Sequence, residues 1–227
     1  MTQGSGSRGR VLARSRVRLR LQPLGRDVLD GLPEGDPAGH PERTEESPDP
    51  EGATARVRGD VGIVPWFEDE RPFQGLLGLL DWRRDGSLSR LAREGIASGT
   101  WGESVLVPAG RGLPVERLVL LGCGPRSSFD AEAASAIGAR AAAIAMDLRP
   151  RSVVIGMPSG CSERDVLESL FLGLLRGISD SAADEPEAVL TTPTHPWWVV
   201  VDERHVARLR RLLDGPLRAA VETTSSS

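Results

Sequence analysis

The sequence predicts an α/β protein, a three-layer α/β/α sandwich built on a mixed, largely parallel sheet. Three observations carry that reading. Short apolar runs alternate with helical patterns along most of the 227 residues, the order expected of strands joined by crossover helices. Several runs, "VERLVLLG" and "PWWVVVD" above all, are apolar on both faces, as strands covered from both sides must be. The intervening helical patterns each carry an apolar stripe and so have one face to bury. The length suits one domain with a sizeable core.

Taken in order, residues 16–21, "RVRLRL", alternate arginine with an apolar residue. That period of two marks a strand with one solvated face, near a sheet edge. "GRDVLDGL" (25–32) reads as a short helix. From Pro33 to Ala55 the chain is rich in proline, glycine and acids and has no apolar run to bury. It cannot repay its ordering entropy, so a disordered insertion is expected there, with His40 solvated inside it. "DVGIVPWF" (60–67) is the next strand, and "FQGLLGLLDWR" (73–83) a helix with Leu76, Leu79 and Leu80 on one face. "SLSRLAREG" (87–95) is a second short helix, ended by Gly95.

"ESVLVPAG" (103–110) and "VERLVLLG" (115–122) are strands, the latter the more apolar. An alanine-rich helix is predicted over Ser128–Leu148, with Ile137, Ile144 and Leu148 on one face. "RSVVIGMP" (151–158) is a strand, and its helix begins at Ser162 with Asp165 three residues on, a capping-box arrangement. Val166, Leu167, Leu170, Phe171, Leu174 and Leu175 form that helix's stripe. Burying those side chains contributes on the order of 10 kcal/mol before entropy is subtracted. "PWWVVVD" (196–202) and a helix over Glu203–Leu213 complete the series. The organisation expected is a single domain over 11–221, with disordered tails at 1–10 and 222–227.

Composition narrows the function. With 28 basic and 32 acidic residues the net charge is −4, which gives no reason to expect a nucleic acid partner. Every basic residue is arginine, so chemistry that needs a lysine from this chain is excluded. Cys123 and Cys161 are too few for a disulfide framework or a zinc cluster. The opening residues lack the apolar core of a signal peptide, and no run approaches a transmembrane length. A cytoplasmic protein without membrane contact is expected.

Several short stretches invite a chemical reading. Gly122 and Gly124 fit the first two places of G-x-G-x-x-G, but Ser127 holds the third and Pro125 removes a backbone donor. The turn reads as structural. Glu68, Asp69 and Glu70 follow a strand and could face a hard cation, yet neighbouring residues at a strand end point apart, so a solvated, helix-capping loop is expected. Asp202 and Glu203 suit the start of a helix. His205 and His195 have no evident partner, and neither H-E-x-x-H nor G-x-S-x-G occurs.

"GMPSGCS" (156–162) joins a strand to a helix start through glycines and serines. Gly156, Ser159, Gly160 and Ser162 are therefore candidates for an anion-binding loop, against the alternative of a plain connection. Cys161 sits at that helix start, where a thiolate would be stabilised; a bystander thiol is the alternative, and Cys123 reads as a turn residue. Trp197 and Trp198 point to opposite faces of one strand. At least one of them is a candidate contact surface, unless a neighbouring element covers it.

The ordered series also resembles a known family. "RLVLLGCG", the alanine-rich helix and "RSVVIGMP", preceded by "GSLSRLAREGIASGTWGESVLVP" and followed by "VLESLFLGLLRGISD", is similar to the N-terminal domain of the leucyl aminopeptidases, the two-metal cytosolic enzymes. The likeness runs from about Val57 to Leu213, with "RVRLRL" as a first strand. It implies a macro-domain-like sandwich. In that family the chemistry belongs to a separate C-terminal domain, where two zinc or manganese ions polarise the scissile carbonyl and activate water. Its metal ligands include a lysine and the carboxylates of an N-T-D-A-E-G-R stretch, and neither occurs in this sequence.

The resemblance thus implies no catalytic, cofactor or metal residues in this chain, which is expected to stop short of the catalytic domain. A role through protein contact is implied: with itself, since the family assembles as hexamers, or with a separately encoded catalytic half. The alternative is a macro-domain-like binder of an ADP-ribose-type or other anionic small molecule. A third reading is metal-dependent aminopeptidase activity, as the family name suggests.

Overall fold

Strands β2 (Gly59–Trp66), β4 (Val115–Gly122), β5 (Val153–Gly156) and β6 (Pro196–Val201) form the middle of one sheet, with β1 (Arg18–Pro23) and β3 (Ser104–Pro108) at its edges. The computed structural model describes residues 18–24, 59–110, 113, 115–158, 164–184 and 196–214. The strand order is β1-β6-β5-β2-β4-β3. All neighbours run parallel except β3, which is antiparallel to β4. Among the described residues five α-helices follow the chain: α1 (Gly75–Arg83), α2 (Ser87–Arg93), α3 (Ala131–Leu148), α4 (Arg164–Asp184) and α5 (Glu203–Asp214). The fold is the mixed α/β sandwich expected, and Arg18–Leu21, the described part of "RVRLRL", lies in an edge strand as its alternation led one to expect. The expected helix at 25–32, the 33–55 insertion and both tails lie outside the described residues.

Alternation along the strands divides the core in two. Val61, Ile63, Val119, Leu121, Val153, Ile155, Trp197 and Val199 face α3 and α4. Val64, Trp66, Leu118, Leu120, Val154, Trp198 and Val200 face α1 and α2. Both faces are covered, which is why the central strands read as continuous apolar runs.

The α4 stripe is buried as expected, all six side chains included. On α3 the expected stripe of Ile137, Ile144 and Leu148 is corrected. Ala134, Ile137, Gly138, Ala141, Ala142 and Ala145 are buried, while Ile144 and Leu148 are only partly so. Close approach of α4 turns the helix this way. A Cβ on Gly138 would lie 2.0 Å from the Leu170 carbonyl oxygen, and one on Gly173 2.0 Å from that of Ser135. The helix also starts later than expected, after a short 3-10 turn at Arg126–Ser128, because Asp130 caps it by accepting from the Ala133 N–H at 2.9 Å.

On α1, Leu77 and not Leu79 joins Leu76 and Leu80 in the core. Asp81 sets this rotation. Its buried carboxylate accepts from the Leu88 N–H at 2.8 Å, the Ser89 N–H at 3.0 Å and the Ser89 hydroxyl, and so caps α2 from the preceding helix.

The helix contact yields a direct expectation. Gly138→Ala inserts one methyl where backbone already sits, and overpacking of this kind costs about 2–3 kcal/mol. Urea unfolding should show a lower midpoint with an unchanged slope.

Candidate functional site

Strands β2 and β5 are neighbours, yet their chains leave in opposite directions. After β2 the chain enters α1 on one face; after β5 it enters α4 on the other. Open α/β sheets bind ligands in the crevice that such a switch point leaves outside the carboxyl ends of the strands. A cleft of about 290 Å³ lies there. Leu76, Met157, Leu167 and Val200 supply its apolar lining, and all four are buried.

Its polar groups come from two helix starts. Gln74 precedes α1 and gives no side-chain cap, and α1 has no acid in its first turn; Glu70 instead accepts from the Gln74 N–H at 3.0 Å. Gly75 follows with φ +52°, a conformation glycine adopts without strain. At the other wall Asp202 caps α5. Its carboxylate accepts from the Arg204 N–H at 3.2 Å and lies 3.3 Å from Arg204 Nε, while its carbonyl accepts from the His205 N–H at 2.9 Å. Burial, and then the charge of Arg204, hold the His205 imidazole below its ordinary pKa, against the opposite pull of Asp202.

Beside the cleft, the three carboxylates expected to form a solvated loop separate into different roles. Glu68 and Asp69 are exposed, and Asp69 accepts from the Arg126 N–H at 3.1 Å. Glu70 is the correction: it is 5% exposed and accepts from the Gln74 N–H at 3.0 Å and the Phe67 N–H at 3.4 Å. Arg126 Nη2 lies 3.9 Å from it, with the guanidinium over the Phe67 ring at 4.3 Å. Glu70 thus ties the β2–α1 turn to the β4–α3 turn. Burial raises its pKa, and the hydrogen bonds and arginines offset only part of that rise. Among the described residues no group of three or more His, Cys, Asp or Glu could hold a metal ion.

The Gly122–Gly124 turn is filled by protein, in keeping with its structural reading. A Cβ on Gly122 would lie 2.0 Å from the Thr100 carbonyl oxygen, and the Gly124 N–H donates to the Gly99 carbonyl at 2.8 Å. Glu103 holds the crossing loop by accepting from the Gly99 N–H at 2.7 Å and the Ser98 N–H at 2.8 Å.

Of the anion-loop candidates only Gly156 is described, and it serves packing: a Cβ there would lie 2.7 Å from Leu76 Cδ2. Ser159, Gly160, Cys161, Ser162 and His195 lie outside the described residues. Cys123 is buried. Neither Trp197 nor Trp198 offers a contact surface. Both are covered by the chain itself, and Arg20 lies 5.0 Å over the Trp198 ring. Among the described residues the large apolar side chains left exposed are Trp82, Ile96, Trp101 and Leu106, which strand and helix periodicity did not single out. The signal available was Trp101 itself, a tryptophan set in a turn between Gly99 and Gly102.

Glu70 leads to a pH test. Its raised pKa means the folded chain takes up a proton before the unfolded chain does, so its contribution to stability is present at low pH and lost as pH rises through the folded value. Glu70→Gln should remove that contribution. Thermal midpoints of the two proteins should therefore diverge with pH just above the ordinary carboxylate range, and a pH-independent difference would refute the assignment.

The N-terminal domain model of the cytosol aminopeptidase family matches residues 63–179, just over half of the 227-residue chain. No curated protein matches the sequence. Among solved structures, a K354E mutant of tomato leucine aminopeptidase superposes with a TM-score of 0.51 at 19% identity, over 79% of this chain and 38% of that one. An Oceanobacillus iheyensis macrodomain with ADP superposes with a TM-score of 0.51 at 13% identity, over 70% of this chain and 85% of that one. At those identities the likeness is one of fold. The chain spans well under half the length of the tomato enzyme. Its sequence match and its sheet together place it: the chain belongs to the cytosol aminopeptidase family, as an N-terminal domain with a macrodomain-like fold.

Proposed function

We propose that the chain is a non-catalytic accessory module of a metallo-aminopeptidase and works by protein contact, with a catalytic domain or with its own copies. One observation carries this reading. Large apolar side chains stand open to solvent on and around β3: Trp101 (53% exposed) in the turn leading into the strand, Leu106 (53%) in its middle, and Trp82 (69%) near the end of α1. Arg84 ties that end of α1 to β3 by donating to the carbonyls of Pro108, at 2.7 Å, and Ala109. Scattered exposed apolar residues are ordinary, but two tryptophans beside an edge strand are what contact surfaces favour. No charged side chain interrupts "SVLVP", whose protection against pairing is its shortness and Pro108 alone. The absence of lysine supports a module that leaves the metal chemistry to another chain or domain.

Sedimentation tests this reading, with the chain alone and mixed with a catalytic domain of the family. Association is expected in at least one case, and Trp82→Ser combined with Trp101→Ser should weaken it about tenfold or more, the usual effect of losing aromatic anchors. A monomer that ignores the catalytic domain would end the proposal. So would chelator-sensitive cleavage of a leucyl substrate by the chain on its own.

A further inference from the structure

The switch-point cleft lies toward the opposite side of the sheet from β3, and the proposed contact surface does not use it. Its chemistry is specific enough to suggest an occupant. At about 290 Å³ it lies just below the roughly 300 Å³ at which drug-sized pockets begin, too small for an extended dinucleotide. Its lining from Leu76, Met157, Leu167 and Val200 is apolar and unbranched by any buried charge. At its rim stand one carboxylate and one guanidinium, Asp202 and Arg204, each more than half exposed and 3.3 Å apart. Gln74 and Gly75, at the start of α1, form another wall.

These features choose between ligand classes. A phosphate-rich ligand calls for several uncompensated cations or a bidentate arginine. Among the described residues the cleft supplies one guanidinium, and that one already faces a carboxylate. The set is balanced in charge, so it fits a molecule that carries both charges and an apolar body. An exposed pair such as Asp202–Arg204 contributes little by itself and opens readily to new partners.

We infer that the cleft binds a zwitterionic α-amino acid with an aliphatic side chain. The ligand's ammonium meets Asp202, its carboxylate meets Arg204, and its side chain lies on Leu76, Met157 and Leu167. The neutral form of His205, favoured by its surroundings, leaves that balance undisturbed at neutral pH. In an aminopeptidase family such a molecule is the product of peptide cleavage, so the site would let the accessory module respond to product. The inference stands apart from the β3 contact surface and does not need it.

Calorimetry and thermal shift on the full chain test it with L-leucine, N-acetyl-leucine, leucinamide, inorganic phosphate and ADP-ribose. Leucine is expected to bind and to raise Tm, whereas blocking either its ammonium or its carboxylate weakens binding about tenfold or more. Arg204→Gln should bring the same loss for leucine, while Leu106→Ser, at the contact surface, leaves leucine binding unchanged. The analogue series remains decisive even if the arginine variant folds poorly. No heat with leucine at about 10 mM, equal binding of leucine and both blocked forms, or binding of ADP-ribose or phosphate in place of leucine would each overturn the inference.

Discussion

Strands β2 and β5 lie side by side and hand the chain to opposite faces of the sheet, and the rest of the molecule follows from that arrangement. Because α1 and α2 cover one face and α3 and α4 the other, every central strand is buried twice and must be apolar at nearly every position. Because the two departures diverge, their carboxyl ends cannot be sealed by a single helix, and a crevice remains between Leu76 and Met157. The cleft is a consequence of chain direction before it is a matter of side-chain chemistry.

Close backbone approach is the second organising feature, and it accounts for several of the glycines. Gly138 and Gly173 let α3 and α4 touch backbone to backbone, and Gly122 lets the Gly99–Gly102 loop lie against the end of β4. Protein backbone fills the space beside each of these glycines. Polar groups seal the same region: Glu103 holds the crossing loop, Glu70 joins two turns, and Asp81 joins two helices. Glu70 and Asp81 are buried and Glu103 half-buried, and each is tolerated because backbone N–H groups satisfy its oxygens. Glu70 shows the cost, since burial still outweighs its hydrogen bonds and raises its pKa.

The fold does not settle the activity. The tomato aminopeptidase and the ADP-bound macrodomain superpose on this chain with the same TM-score, 0.51. One sheet thus serves proteins of different function, and the function must be sought in the groups each one places on it. Here those groups are an apolar cleft with balanced charges at one place and exposed tryptophans beside an edge strand at another.

The sequence by itself determined the series of the described elements, the parallel character of the sheet, the edge position of Arg18–Leu21 and the family, because these depend on periodicity and on the order of short patterns along the chain. It also identified Gly122 and Gly124 as a structural turn, since Ser127 and Pro125 break the dinucleotide pattern locally. Tertiary structure decided what depends on neighbours distant in sequence. Leu77 displaced Leu79 because Asp81 had to reach α2, small residues rather than Ile144 and Leu148 faced α4, Glu70 went inward, and Trp197 and Trp198 were covered while Trp82 and Trp101 were left open. The cleft itself joins residues from well-separated stretches: Leu24, residues 74–76, Met157 and Pro158, Leu167, Val200–Asp202, and Arg204 with His205. No local pattern encodes such a meeting, because burial and charge at each position are set by what the folded chain brings against it.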